Sequence, residues 1–404
     1  MTKIKVRLRP SKIAGKPGTL CYCVSHKSIV RCVKTAMQLM PGDWDEGTQR
    51  VLSEDASGKR MQNRIESDLS VLDRIVRGLE SRRPDYTADD VVAGFCALAR
   101  QISVSRFLQE QIGFLTECKR LGTAMNYRRA ASTLSAFVGG REVCFSELTE
   151  SFVEQYKDYL LRRGMVRNSL SFHMRILRAV YNKAVRSGYA EQTFPFRNVY
   201  TGIDRTRKRA VSEQVIRQLI RLDLADSFAL TFARDLFLFS FYTRGMAFVD
   251  MAYLRKSDFQ DGVIRYTRHK TGQELSIRIE PCIRAIAERY AGSVYHTPYV
   301  FPILTNEDAD ECFRRYKTAL RAYNSRLANL SRRLGLAQNL SSYTSRHSWA
   351  TMARNQNIPI AVISAGMGHA SERTTQIYLT SLENSLIDNA NKGILERFDK
   401  AFSR

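Results

Sequence analysis

Between Ser341 and Leu379 the chain reads SSYTSRHSWATMARNQNIPIAVISAGMGHASERTTQIYL. It contains an Arg-His pair (Arg346, His347), a Gly-His pair (Gly368, His369) and a tyrosine, Tyr378, nine residues past the second histidine. These residue types suit chemistry on an oxyanion. A guanidinium offers permanently charged, bidentate hydrogen bonds to phosphate oxygens. Donors fixed around developing negative charge are usually the largest catalytic contribution. A tyrosine hydroxyl, with a pKa of about 10, is a weak nucleophile that needs such electrostatic company. The same stretch also reads more plainly as helix (360–367), turn (368–371) and helix (372–379), with Tyr378 as a packing residue. The upstream residues decide between the two readings.

Three upstream segments matter. The run Phe237-Leu238-Phe239-Ser240-Phe241-Tyr242 is a buried helix, followed by Thr243-Arg244-Gly245-Met246. Asp250-Met251-Ala252-Tyr253-Leu254 opens a further helix with an acid. Residues 262–279 alternate as a hairpin, with Val263, Ile264 and Tyr266 on one arm and Leu275, Ile277 and Ile279 on the other. Its turn carries His269-Lys270-Thr271-Gly272.

The order Arg244, Lys270, Arg346, His369, Tyr378 resembles the signature of the tyrosine recombinases, the phage and transposon integrase family. The resemblance implies that Arg244, Arg346 and His369 grip one DNA phosphate while Tyr378 attacks it. It makes Lys270 the general acid, a mobile ammonium on a hairpin tip that protonates the departing 5′ oxygen. The family places an acid three residues after the first arginine. Position 247 is Ala here, and Asp250 takes the orienting role with three residues inserted. The family also has a histidine three residues before the second arginine, where this chain has Tyr343. A phenol can donate one hydrogen bond to phosphate but is no base near neutral pH. His347, one residue past Arg346, lies about 100° further around the helix and reads as a buried structural histidine.

Composition agrees with a polyanionic partner. The chain has 404 residues, 44% of them hydrophobic, with 63 Lys and Arg against 40 Asp and Glu, a net charge of +23. That length suggests two to three domains, and that charge points first to nucleic acid, with a merely soluble basic protein as the plain alternative. No run of 18 apolar residues is present, and MTKIKVRLRP lacks the apolar core of a signal peptide, so a cytoplasmic protein on DNA and no membrane partner are expected. Eight cysteines, at 21, 23, 32, 96, 118, 144, 282 and 312, are expected to be reduced. No metal-ligand spacing and no Gly-rich phosphate loop of the Walker type occurs, so no cofactor is expected.

These features give a mainly α fold with small β parts, in three DNA-binding domains. Residues 1–100 begin with a three-stranded sheet. Lys3, Lys5, Arg7 and Arg9 alternate with Ile4, Val6 and Leu8, and residues 19–25 and 28–34 are the next two strands. Nine Lys or Arg fall between Lys3 and Lys34, with no acid before Asp43. The sheet resembles the arm-binding domain that precedes many integrases; a solvated charged face is the plain alternative. Helical spacing follows over 60–80 and 85–99. Residues 101–200 read as a helical core-binding bundle, with a helix ending at 122–124, the next over 127–137, and Ser169 as the cap of a helix bearing Arg175 and Arg178, with Arg167 just before it. Its basic residues suit phosphate contacts, which position rather than specify. Residues 201–210, with Arg207, Lys208 and Arg209, form a basic linker, and 211–404 a mixed α+β catalytic domain.

The resemblance further implies a 3′-phosphotyrosine intermediate, double-stranded recombination sites as substrate, a homotetramer on DNA and an accessory DNA-bending protein. Leu382, Leu386, Ile387, Ile394, Leu395 and Phe398 of the tail either dock on a neighbouring protomer or pack at home. A type IB topoisomerase shares the chemistry, but the arm-like sheet argues against it. A non-cutting DNA-binding protein is opposed by the retention of Arg244, Lys270, Arg346, His369 and Tyr378.

Overall fold

The computed structural model describes residues 2–11, 13, 15–83, 85–100, 102–202, 204, 210–369, 371–378, 391–392 and 395; at 36, 56, 57, 60, 99, 100, 373, 377 and 378 it describes the backbone alone. Arg207, Lys208, Arg209 and nearly all of the tail lie outside these residues. The chain divides into two compact units, Met1–Asp204 and Arg205–Arg404. Among the described residues no helix is long and apolar enough to cross a membrane.

In the first unit, β1 (Lys3–Arg9), β2 (Gly18–His26) and β3 (Ile29–Leu39) form an antiparallel sheet in that order. Register pairs Lys3 with Ser25 and Arg9 with Thr19. The pleat then buries Val6 and leaves Lys3, Lys5, Arg7 and Arg9 exposed. β3 runs to Leu39, beyond the expected residue 34. The β2–β3 turn places Lys27 and Ser28 at φ of 45° and 67°, the paired left-handed conformation that matches strand twist in two-residue hairpins. That register sets Cys23 opposite Cys32, with Cα atoms 4.1 Å apart, and the two form a disulfide. The expectation of eight reduced thiols is therefore corrected to six free cysteines. Compartment governs how often thiols pair; the hairpin register governs which ones can meet.

The short strands β4 (Trp44–Asp45) and β5 (Arg50–Val51) lead to α1 (Ala56–Arg82) and α2 (Ala88–Arg100). Asp55 caps α1 by accepting from the Gly58 N–H at 2.6 Å. Tyr22, Ile65, Leu72, Val91 and Phe95 join sheet and helices in one apolar core. The Tyr22 hydroxyl donates to Asp68 at 2.9 Å, and Arg64 donates to both Asp68 oxygens.

A separate core holds α3 (Val104–Glu117), α4 (Leu121–Phe137), α5 (Glu150–Arg162) and α6 (Arg167–Arg186), centred on Leu108, Tyr156, Met174 and Tyr181. Two boundaries differ from expectation. α4 already starts at Leu121, so Gly122 and Ala124 sit in its first turn; Ala124 is buried there, and packing overrides the weak helix propensity of Gly122. α6 is capped by Val166 rather than Ser169, which lies inside the first turn. Arg167 stacks 4.0 Å over the Tyr200 ring, Arg178 is exposed and Arg175 half-buried. Arg64 also reaches from α1 to the bundle, 3.7 Å from Glu110 and 5.2 Å over the Tyr189 ring.

The second unit comprises α7 (Glu213–Arg221), α8 (Phe228–Tyr242), α9 (Phe248–Tyr253), β6 (Phe259–Gln260), β7 (Val263–Thr267), β8 (Glu274–Arg278), α10 (Pro281–Arg289), α11 (Ala309–Arg333), α12 (Thr344–Asn355), α13 (Ile360–Met367) and α14 (Glu372–Tyr378). α8 is the central element. Its residues Phe237 and Phe239 are fully buried, and Phe239 meets Phe301 edge-on at 4.8 Å. A helix apolar all round must be surrounded, and α7, α10, α11 and α12 pack on it. The hairpin pairs Ile264 with Ile277 and Tyr266 with Leu275. Ala350, Ala353, Ile363 and Met367 hold α12 against α13.

Candidate active site

The site is built where α8 ends. Thr243 closes the last turn, its N–H and hydroxyl both donating to the Phe239 carbonyl. Arg244 and Gly245 then take φ of 59° and 77°. Two successive left-handed residues reverse the chain, and the first is not glycine, a strain of about 1–2 kcal/mol. The reversal sends Arg244 toward β8, where Nη1 donates to the Ser276 carbonyl at 3.4 Å. Gly245 has no alternative residue: a Cβ there would lie 2.7 Å from the Arg346 Cα and Cγ.

Arg346, in the first turn of α12, is 3% exposed. Its Nη1 donates to the Gly245 carbonyl at 2.7 Å, and Nη2 to the Met367 carbonyl at 2.6 Å. Nη2 also lies 2.9 Å from His369 Nε2. A guanidinium can only donate, so Nε2 accepts and the ring proton sits on Nδ1, 2.9 Å from Thr375 Oγ1 on α14. Burial, with Arg346, Arg268 and Lys270 adding like charge, pulls the imidazole down to about 3. In this arrangement His369 steadies Arg346 and ties it to α14. Buried hydroxyls fix α12 in turn: Ser240 Oγ meets Ser345 Oγ at 2.7 Å and donates to the Met246 carbonyl.

Asp250, 5% exposed, accepts from the His269 N–H at 2.9 Å, at the root of the hairpin loop. Burial pushes its carboxyl up, against that hydrogen bond and the Arg268 and Arg346 charges. Lys270 is exposed at the loop. Tyr343 is the N-cap of α12 and 43% exposed, while His347 is buried on the same helix. Tyr378 is the last residue of α14; its side chain is outside the described atoms.

Arg346 and His369 are thus in direct contact, Arg244 flanks them through Gly245, and Asp250 reaches the Lys270 loop through His269. One participant was missed from the sequence: Arg268, 7% exposed, whose side chain lies 3.9 Å from Asp250 and donates to the Gly368 carbonyl. The alternation that turns Ile264 and Tyr266 inward also turns position 268 inward, and an inward arginine in a strand pattern is a signal. Among the described residues the buried acids of this unit are Asp250 and Asp235. Asp235 is engaged elsewhere, by Arg234, Arg289 and Tyr290. Two buried guanidiniums around one carboxylate leave the cluster with surplus positive charge.

Family models match both units. The model described as Phage integrase SAM-like domain matches residues 103–199, and that described as Phage integrase family matches 211–385. The chain belongs to the phage integrase, or tyrosine recombinase, family and is a tyrosine-type site-specific DNA recombinase. Among solved structures, the Tn1549 transposon integrase in complex with a circular intermediate DNA is 14% identical, with a TM-score of 0.55, over 74% of this chain and 100% of that one. A lambda integrase dimer bound to a COC′ core site is 12% identical, with a TM-score of 0.50, over 91% and 95%. A lambda integrase tetramer bound to a Holliday junction is 12% identical, also at 0.50, over 89% and 92%. At such identities the likeness is one of fold. No curated protein sequence matches the chain.

Two outcomes test this geometry. Gly245→Ala should lower stability by on the order of 1–3 kcal/mol more than Gly262→Ala, the overpacking cost. Gly262 shares the left-handed conformation (φ 74°), but a Cβ there meets open space. Urea unfolding of both variants measures the difference, and equal losses would mean that Arg346 does not press on Gly245. Separately, His369 should show no titration between pH 8 and pH 5 in ¹³C-detected spectra of labelled histidine. A midpoint near 6.5 would show that Arg346 does not hold Nε2.

Proposed function

We propose that this recombinase cleaves and rejoins DNA through a 3′-phosphotyrosine formed by Tyr378. The observation that carries the reading is the surplus of buried guanidinium charge at Arg346, held rigid by two carbonyls and a neutral histidine. Such a site stabilises the charge that develops on a phosphodiester under attack. Arg244 and Arg346 bind the non-bridging oxygens. His369 positions Arg346; once the phosphate competes for the guanidinium, the ring donates to it by shifting its proton from Nδ1 to Nε2, with the Thr375 hydroxyl then donating to Nδ1. Tyr343, exposed at the start of the same helix, adds a phenolic donor. Asp250 orients the hairpin. Lys270 protonates the departing 5′ oxygen, and exchange of one ester for another keeps the bond energy in the phosphotyrosine, so the reaction needs no ATP.

The exposed cations of β1, Lys3, Lys5, Arg7 and Arg9, form an arm-site reader. Arg167, Arg175 and Arg178 track phosphates over the core site, together with the linker residues Arg207, Lys208 and Arg209. The substrate is a pair of duplex sites brought together by four protomers, as suits chains similar to one seen as a tetramer on a Holliday junction.

Tyr378→Phe should abolish the covalent protein–DNA band on a nicked suicide duplex while leaving DNA binding within about twofold. A denaturation-resistant band formed by the Phe variant would remove Tyr378 from the role. For the arm reading, deletion of residues 1–100 should spare cleavage of a short core site, erase distal protection in footprints on long DNA, and lessen the salt dependence of binding as fewer phosphates are neutralised. Coinciding footprints would leave the sheet a packing role.

A further inference from the structure

Arg268 stands at the base of the loop that carries Lys270. Its backbone closes that loop: its N–H donates to the Gln273 carbonyl at 2.8 Å, and its carbonyl accepts from Gly272 at 2.8 Å and Thr271 at 3.3 Å. The side chain turns the other way, into the interior. Nη1 donates to the Gly368 carbonyl, and Nε lies 3.9 Å from Asp250 Oδ2 without a hydrogen-bond partner of its own. Gly368 is the left-handed residue (φ 65°) that ends α13 and leads into His369. A Cβ on Gly368 would lie 2.9 Å from Arg268 Cδ and 2.8 Å from Leu275 Cδ1, so the loop base and the histidine turn are in close van der Waals contact.

Burial of a guanidinium costs several kcal/mol unless its partners compensate. Among the described residues the one acid in reach, Asp250, is beyond hydrogen-bond distance, and an apolar side chain of similar length would fill the same space at less cost. What such a side chain could not do is bond the Gly368 carbonyl while facing Asp250, whose other oxygen accepts from the His269 N–H. The three contacts triangulate the loop against α9 and the α13–α14 turn. Lys270 itself is exposed, and its reach depends on where the loop is pinned.

We propose that Arg268 is a positioning residue for the cleavage step: it pins the Lys270 loop to the His369 turn and Asp250, so that the ammonium meets the leaving oxygen. The proposal rests on the reading of Lys270 as proton donor. A general acid contributes on the order of 10²–10⁴-fold, and a displacement of about 1 Å can cost 10²-fold.

The test uses the full chain and a nicked duplex carrying a site selected by the wild-type protein from a randomised pool. The duplex is made with either a normal scissile phosphate or one bearing sulfur in place of the bridging 5′ oxygen, a leaving group that needs little protonation. Arg268→Met should form covalent complex about 10²-fold more slowly than wild type on the oxygen substrate and within about tenfold of it on the sulfur one. Arg268→Gln, which keeps a donor for Gly368, should fall between. Lys270→Ala is the reference and should recover on sulfur. If Lys270→Ala recovers and the Arg268 variants stay equally slow on both substrates, the positioning role is overturned while the proton-donor reading stands. If Lys270→Ala itself fails to recover, the proton-donor reading falls and takes the proposal with it. Should neither Arg268 variant fold and bind the duplex as wild type does, Arg268 serves stability and the proposal is lost.

Discussion

The second unit depends on one buried guanidinium. Arg346 gives its hydrogen bonds to the Gly245 carbonyl, the Met367 carbonyl and His369, three places separated by as much as 124 positions along the chain, from 245 to 369. The acceptors belong to two turns, one after α8 and one between α13 and α14, so these and the start of α12 cannot shift independently. The desolvation of a buried cation is offset only when its donors are well used, and charge-assisted bonds to carbonyls are about twice as strong as neutral ones. A lysine has no planar fork with which to serve the same set.

That anchor also fixes the electrostatics. Asp250 is one carboxylate facing two buried guanidiniums, so it neutralises them incompletely. His369, held neutral, removes no charge and adds none. The result is a preorganised cationic site walled by low-dielectric packing, where an oxyanion gains far more than it would in water. Arg244 enters this site through a strained backbone conformation, as functional residues often do.

Much of this was legible in the sequence because chemistry-bearing residues in fixed order are local signals. Arg244, Lys270, Arg346 and His369 could each be picked out by their neighbours, and the alternation of β1 gave the sheet and its cationic face. What stayed hidden depends on tertiary register. Cys23 and Cys32 meet only because a two-residue turn aligns β2 with β3. Arg268 matters only because Gly368 lies across from it, 100 positions away. The tautomer of His369 follows from the donor it faces, which no spacing reveals. Helix edges slipped where burial outweighed propensity, as at Gly122, or where the true cap, Val166, has no capping side chain.

The first unit has a mechanical consequence. Its two apolar cores do not merge: one gathers the sheet with α1 and α2, the other the four-helix bundle. Arg64 bridges them with a 3.7 Å ion pair to Glu110 and a cation–π contact to Tyr189, while its other hydrogen bonds stay on Asp68. Half-exposed contacts of this kind contribute roughly 1 kcal/mol each. With the close approaches of α1 to α3 and of β3 to α6 beside it, such a joint is still more compliant than either apolar core. Load on either layer is taken up at this seam before it reaches an apolar core.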